Sequence, residues 1–290
     1  MKILIRKDLE RHNLFVFLLR FLTVPVMNNI PSTVLQKMMH KTSNDASVVA
    51  DNGGSTTALE AMYGRYNRKL FSRGIIQGLS DLFWHHVISQ PKALRNRLKI
   101  VEETIESRLV SLIKKGHTDI KILNIGGGSS RALIHTLHKL FKEGYEFNPS
   151  IINIDKDGRA IETGKKIARE HGLEKVFKWI NSDARNTSSF VSPDSVDIVE
   201  MVGLMDYFND ERADTIIKII HKSLKKGGLF IVANIHFNNE MKFIKNTGWP
   251  KMYYRDLSDM ERIVKKAGFK EESNLIFEPL KVHIITVVEK

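Results

Sequence analysis

The sequence contains no cysteine. That excludes disulfide frameworks, thiolate nucleophiles and cysteine-ligated zinc, and it agrees with a reducing, cytoplasmic setting. The sequence also lacks an apolar run long enough to cross a membrane. Its most apolar window, residues 14–27, is shorter than the ~20 residues a spanning helix needs, and Arg20 and Pro25 interrupt it. A basic start followed by that window resembles a secretory leader, but no small-residue cleavage site follows. The window therefore reads as an amphipathic or buried helix, with peripheral membrane contact through residues 14–27 as the alternative. Internal repeats and long low-complexity tracts are missing as well.

What is present describes a globular chain able to bury a core, with 42% hydrophobic and 27% charged residues among 290. That length holds one large domain, or one domain and an appendage. The formal charge of +12 is unevenly spread: residues 1–117 carry 18 Lys+Arg against 9 Asp+Glu, and residues 118–290 carry 27 against 24. An anionic substrate, an acidic membrane surface or nucleic acid would each suit the basic first part, as would general solubility.

Residues 42–56 are small, polar and glycine-containing, and read as a mobile linker. Helical patterns flank them. Leu59 to Ile88 is broken by Gly64, Gly74 and Gly78. Pro91 opens a further helix with Leu94, Leu98, Val101 and Ile105 on one face, running to about Lys115 before Gly116. From Ile120 the pattern changes to alternation. Strands are expected at 120–125, 151–154, 176–181, 196–202 and 229–235, and helices at 130–143, 157–171, 209–225 and 256–267. Lys225-Lys-Gly-Gly reads as a helix end with a glycine stop. Asn274–Phe277 and Val282–Val288, joined through Pro279, read as an antiparallel pair. The chain thus divides into a helical cap and substrate region, 1–117, and an α/β domain, 118–290, with a doubly wound, mostly parallel sheet.

The most informative stretch is Lys121-Ile-Leu-Asn-Ile-Gly-Gly-Gly-Ser-Ser-Arg131. An apolar run ends in three glycines and passes into a helix, which lets backbone approach a ligand closely at a helix N-terminus. The next apolar run ends at Asp155, and the one after it at Ser182-Asp183-Ala184. A glycine loop followed by acids at the ends of the next two strands points to a nucleoside-binding sheet. The main rival, a nicotinamide dinucleotide, fits worse, because the last glycine of G-x-G-x-x-G falls at Arg131.

These features resemble the class I S-adenosylmethionine-dependent methyltransferases over residues 118–290. The resemblance implies a Rossmann-like seven-stranded sheet with an antiparallel last strand, and S-adenosyl-L-methionine as cofactor. It implies that Gly126, Gly127 and Gly128 wrap the methionine part and that Asp155, with Lys156 beside it, grips the ribose. Asp183 and Ala184 would meet the adenine. Glu200-Met201-Val-Gly203 would pass the sulfonium, and Leu224-Lys-Lys-Gly-Gly-Leu-Phe-Ile231 matches the family's approach to strand five. Two positions depart from the pattern. Asn124 replaces the usual acid among the expected cofactor contacts, where an amide can still position the loop by hydrogen bonding, and Ser130 replaces the third glycine. Gly203-Leu-Met-Asp-Tyr-Phe208, Ala93-Leu-Arg-Asn-Arg97 and Tyr253-Tyr-Arg-Asp256 also resemble a bacterial branch linked to 3-hydroxy fatty acid methyl ester synthesis.

Other candidates come from residue chemistry. Tyr207, after strand four, could orient an acceptor, and His236, past strand five, could act as a general base. Tyr63, Arg65 and Tyr66, with Arg68 and Arg73 nearby, could close over the site and hold a carboxylate, because arginine matches that group in bidentate fashion. Arg95, Arg97 and Tyr254 are further candidates for acceptor contact. His85-His86 lacks metal-ligand spacing, and no metal is expected. The leading expectation is methyl transfer to a small acceptor, anionic or lipid-like, such as a carboxylate or fatty-acid-like compound. A carboxylate acceptor is ionised near neutral pH and needs no strong base. The alternatives are an RNA methyltransferase using the basic region, a non-catalytic cofactor-binding protein and an aminocarboxypropyl transferase.

Overall fold

The computed structural model describes residues 1–66 and 70–290; Arg68 lies outside them. The described residues open with a strand, β1 (Lys2–Ile5), and continue through the helices α1 (Leu14–Asn28), α2 (Ser32–Thr42), α3 (Asn44–Asn52), α4 (Thr56–Gly64), α5 (Ile75–His86) and α6 (Ser89–Lys114). Alternation then begins with β2 (Asp119–Ile125), α7 (Arg131–Lys142), β3 (Asn148–Asp155), α8 (Gly158–Glu170), β4 (Phe177–Asn181) and β5 (Val196–Met201). It continues through α9 (Asp210–Ser223), β6 (Leu224–Ile235), α10 (Met241–Asn246), α11 (Leu257–Lys266), β7 (Asn274–Phe277) and β8 (His283–Glu289).

Among the described residues the strands form one sheet of eight in the order β1-β7-β8-β6-β5-β2-β3-β4. β8 runs antiparallel to both neighbours, and the other pairs are parallel. The seven expected strands are all there, with the antiparallel pair where Pro279 suggested it. The eighth, β1, adds to the edge beside β7, so residues 2–5 belong to the sheet and not to a helical region.

Parallel strands covered on both faces need apolar residues on both, and every residue of β5 is buried. On one face Val199, Met201, Phe230 and Val232 pack against Ile216, Ile217 and Ile220 of α9 and Met260, Ile263 and Val264 of α11. On the other face Ile122, Ile198 and Ile231 meet Ile100, Val101, Ile105 and Leu109 of α6 and Leu133 and Leu137 of α7. A separate core of Leu35, Met39, Val49, Met62, Trp84 and Leu94 holds the cap helices, and Phe243, Ile244 and Trp249 from the β6–α11 connection join it. The strand order reverses between β2 and β5, which opens a crevice at their carboxyl ends.

Two local expectations need correction. Residues 42–56 are not a linker: Asn44–Asn52 form α3. Ser43 caps it, its Oγ accepting from the Ala46 N–H at 2.9 Å, while Ala46 and Val49 face inward. Most of the polar residues that suggested a loop cap or flank a short helix, and Asp45 turns inward to meet His85 Nε2 at 2.8 Å. Lys225-Lys-Gly-Gly is not a helix end: α9 stops at Ser223, and these residues already lie in β6. Pairing with β5 jumps there, from Val196↔Leu224 to Ile198↔Leu229. The glycines serve an irregularity in a strand, Gly227 taking φ 73°.

Candidate active site

The glycine loop is tight because it is enclosed from three sides. Gly126 and Gly128 adopt φ 63° and 52°, the left-handed region glycine tolerates. A Cβ on Gly126 would stand 2.6 Å from Leu204 Cδ2, and one on Gly128 would stand 2.7 Å from Thr56 Oγ1. One on Gly127 would collide with the side-chain amides of Asn124 and Asn153. The Gly126 N–H donates to the Ile154 carbonyl at 2.8 Å, which ties the loop to β3.

The two departures from the family pattern are each other's partners. Asn124 Nδ2 donates to Ser130 Oγ at 3.0 Å, and Ser130 takes the left-handed φ of 55° at the start of α7. Asn124 is buried beneath the loop and does not line the cavity, so its expected cofactor contact is corrected to support of the loop. It stands in register with Asn153 on β3 and Glu200 on β5. Register partners share a face, so these three form a polar row beneath the glycines. Asn124 Oδ1, both Asn153 amide atoms and Glu200 Oε2 find no partner among the described residues.

Above the row lies a cavity of about 540 Å³ at the carboxyl ends of β2, β3, β4 and β5, a size suited to a cofactor or small ligand. Gly126, Gly127, Gly128, Asp155, Lys156, Asp183, Ala184 and Gly203 all line it. Asp155 Oδ2 accepts from the Gly128 N–H and Oδ1 from the Asp157 N–H, both at 2.8 Å. Burial raises its pKa against those two bonds, and each oxygen keeps a further lone pair for a vicinal diol. Asp183 is more engaged. Its Oδ1 accepts from Arg185 Nε at 2.9 Å and its Oδ2 from Arg212 at 3.2 Å, and the Arg185 bond holds its pKa low. Met201 is corrected: it is fully buried in the core and absent from the cavity wall.

Glu200, its neighbour, reaches the cavity instead. Burial pushes its carboxyl up to about 7, opposed by Arg97. Arg97 comes from α6, lines the same cavity and sits 3.9 Å from Asp206 Oδ2. Tyr63 and Tyr207 also line it. The Tyr207 hydroxyl accepts from Trp249 Nε1 at 3.0 Å, and burial raises its pKa, so the phenol stays neutral.

The remaining candidates are elsewhere. His236 does not line the cavity; its Nδ1 bonds the Arg255 carbonyl at 2.9 Å. Arg65 lies 2.5 Å from Glu10 Oε1, and Arg95 clasps the same carboxylate through Nε and Nη2 at 2.8 and 2.9 Å. The carboxylate these arginines hold is the protein's own. Arg73 donates to the His40 carbonyl at 3.4 Å. Tyr66 hydrogen-bonds His86. Tyr254 packs beside Phe237, and burial pushes its phenol up to about 12; neither tyrosine lines the cavity.

Sequence reasoning missed the residues that roof the site. Gly53, Gly54, Thr56 and Glu60 line the cavity from the α3–α4 junction and α4. Glu60 accepts from Ser129 Oγ at 2.9 Å and Arg131 Nε at 3.1 Å, which fastens α4 onto the glycine loop. Glu60 belongs to no motif; the only available signal was Gly53-Gly54, absorbed into the linker reading.

The sequence and the fold match known proteins. A model of a family described as "putative methyltransferase" matches residues 55–287. O-methyltransferase 12 of Dictyostelium discoideum is 26% identical over 206 residues, covering 68% of this chain and 52% of the relative. The chain thus spans about half the length of that relative. A possible exported protein from Bordetella parapertussis superposes with a TM-score of 0.64 at 12% identity, covering 93% of this chain and 96% of that one. The S-adenosylmethionine-dependent methyltransferase SibL, in its apo form, superposes with a TM-score of 0.53 at 17% identity, covering 85% and 73%. At such identities the two structures speak for the fold.

Proposed function

The chain belongs to that methyltransferase family, and from this premise we propose that it moves a methyl group from S-adenosyl-L-methionine to an oxygen of a small acceptor bearing a carboxylate or a fatty-acid-like chain. The observation that carries the reading is the glycine cradle facing Asp155 across one cavity. The residues fit the cofactor: side chains are excluded where it would lie closest, and Asp155 offers acceptors to a diol. Glu200 holds a buried carboxylate oxygen with no partner among the described residues, suited to an ammonium group. Asn124 shapes the loop, Lys156 borders the ribose side, and Ala184 and Gly203 leave room for the base and the sulfonium.

Bound there, the cofactor supplies an electrophilic methyl group on sulfur. The protein's part is placement and dehydration. The α4 roof, fastened by Glu60, keeps water from the methionine end. Arg97, with Lys251 at the rim, gives an anionic acceptor a partner inside the cavity. Tyr207, a neutral phenol whose oxygen already accepts from Trp249, has its proton available to orient an acceptor oxygen. With His236 outside the cavity, an acceptor that is already ionised suits the site, which favours a carboxylate.

The test is incubation with methyl-labelled cofactor and fractionated extract. Label in an organic-soluble pool, released by mild base as expected of methyl esters, supports the reading. Label in RNA would transfer it to the basic region of residues 1–117. Addition of an aminocarboxypropyl group, or cofactor binding with no transfer to any pool, would overturn methyl transfer itself.

A further inference from the structure

α1 is an inverted helix. Its single charged residue, Arg20, is turned inward, where it donates to the Val87 carbonyl and pairs with buried Glu240. Outward it presents Leu14, Phe15, Phe17, Leu18, Phe21, Leu22 and Val26, each between 57 and 76% exposed. A second apolar set, Phe71, Ile75, Ile76 and Leu79, stands exposed on and before α5. α2, with exposed Val34 and Met38, lies between these regions in the chain, and Arg73 reaches the His40 carbonyl near its end. Clustered exposure of this size on a globular chain marks a surface that something covers.

The charge around these residues indicates what covers them. No aspartate or glutamate occurs from residue 11 to 44, a stretch with Arg11, Arg20, Lys37 and Lys41. None occurs from 61 to 80, which holds Arg65, Arg68, Lys69 and Arg73. Both exposed apolar sets therefore fall in segments free of carboxylates, and Arg11, Lys37, Lys41 and Arg73 are themselves exposed. A second copy of the chain would bring these cations against their own kind. An anionic lipid surface satisfies both features, as buried apolar side chains and cations among headgroups. No helix among the described residues is long and apolar enough to cross a membrane, so α1 would lie in the interface.

We propose that α1, with the exposed residues of α2 and the 71–79 segment, is the surface by which this protein docks on anionic lipid bilayers. The test is flotation with vesicles of phosphatidylcholine alone and of phosphatidylcholine mixed with phosphatidylglycerol. The full chain should float with the anionic vesicles, and less so as salt rises. Phe15→Ser with Phe21→Ser should weaken partitioning by roughly tenfold per side chain, and Lys37→Gln with Lys41→Gln by roughly fivefold per charge. All four side chains are exposed, and an unchanged melting temperature would separate lost docking from lost folding. Absence of flotation with anionic vesicles would overturn the proposal, as would flotation indifferent to both variants. So would a dimer in solution, without vesicle binding, that the phenylalanine substitutions dissolve.

Discussion

Asp155 and Glu200 are both half- or fully buried carboxylates on one cavity wall, and they answer different tests. Asp155→Ala removes two acceptor oxygens that would face a diol. Hydrogen bonds to a charged group contribute about 1.5–3 kcal/mol each, so affinity for S-adenosylhomocysteine should fall by about a hundredfold or more in calorimetry. Unchanged affinity would mean the nucleoside binds elsewhere. Glu200 is read through pH. The unfolded chain gives up this proton near 4.5 and the folded chain keeps it to about 7, so between those values the folded state binds more protons and stability falls as pH rises. The ligand-free protein should lose on the order of 3 kcal/mol to this group across that window, and Glu200→Gln should remove that slope from the curve of melting temperature against pH. Parallel curves for the two proteins would contradict it. The sequence showed Asp155 because acids at strand ends form a pattern. It placed Glu200 only within the segment that would pass the sulfonium, because its own role comes from register beside Asn124, and from Arg97, which arrives from a helix a hundred residues earlier.

The loop between β2 and α7 was the best-read element, because its glycines have a steric cause that local sequence expresses. Gly127→Ala tests that cause. The added methyl would strike the side-chain amides of Asn124 and Asn153, which are buried on adjacent strands, and overpacking of this kind costs about 1–3 kcal/mol. Chemical denaturation should show a loss of that order together with weaker cofactor binding, whereas Gly144→Ala, at a left-handed turn open to solvent, should leave binding intact. α3 was illegible for the opposite reason. Nine residues with Ser, Asp and Asn at both ends look like loop until Ala46 and Val49 have a core to enter, and that core is built by α2, α4 and α5. The arginines beside Tyr63 failed similarly, since Glu10, which claims Arg65 and Arg95, is remote in sequence from both.

At the scale of the molecule, the succession of strands and helices from β2 to β6 was available from alternation, and β1 was not. Four residues with no periodicity to distinguish them become a strand only because β7 offers an edge, Lys2 to Ile5 pairing with Asn274 to Phe277. That small addition alters how the cap is suspended. Its helices form an excursion between two strands of a single sheet, moored at β1 on the rim and at β2 near the centre, so the cap cannot swing away on one hinge. A protease cut after exposed Arg73 should therefore give two bands on a denaturing gel and a single native-sized peak in gel filtration. Fragments that separate without denaturant would refute this. The site would then be opened by slackening of the stretch around Gly53 and Gly54, while both moorings hold.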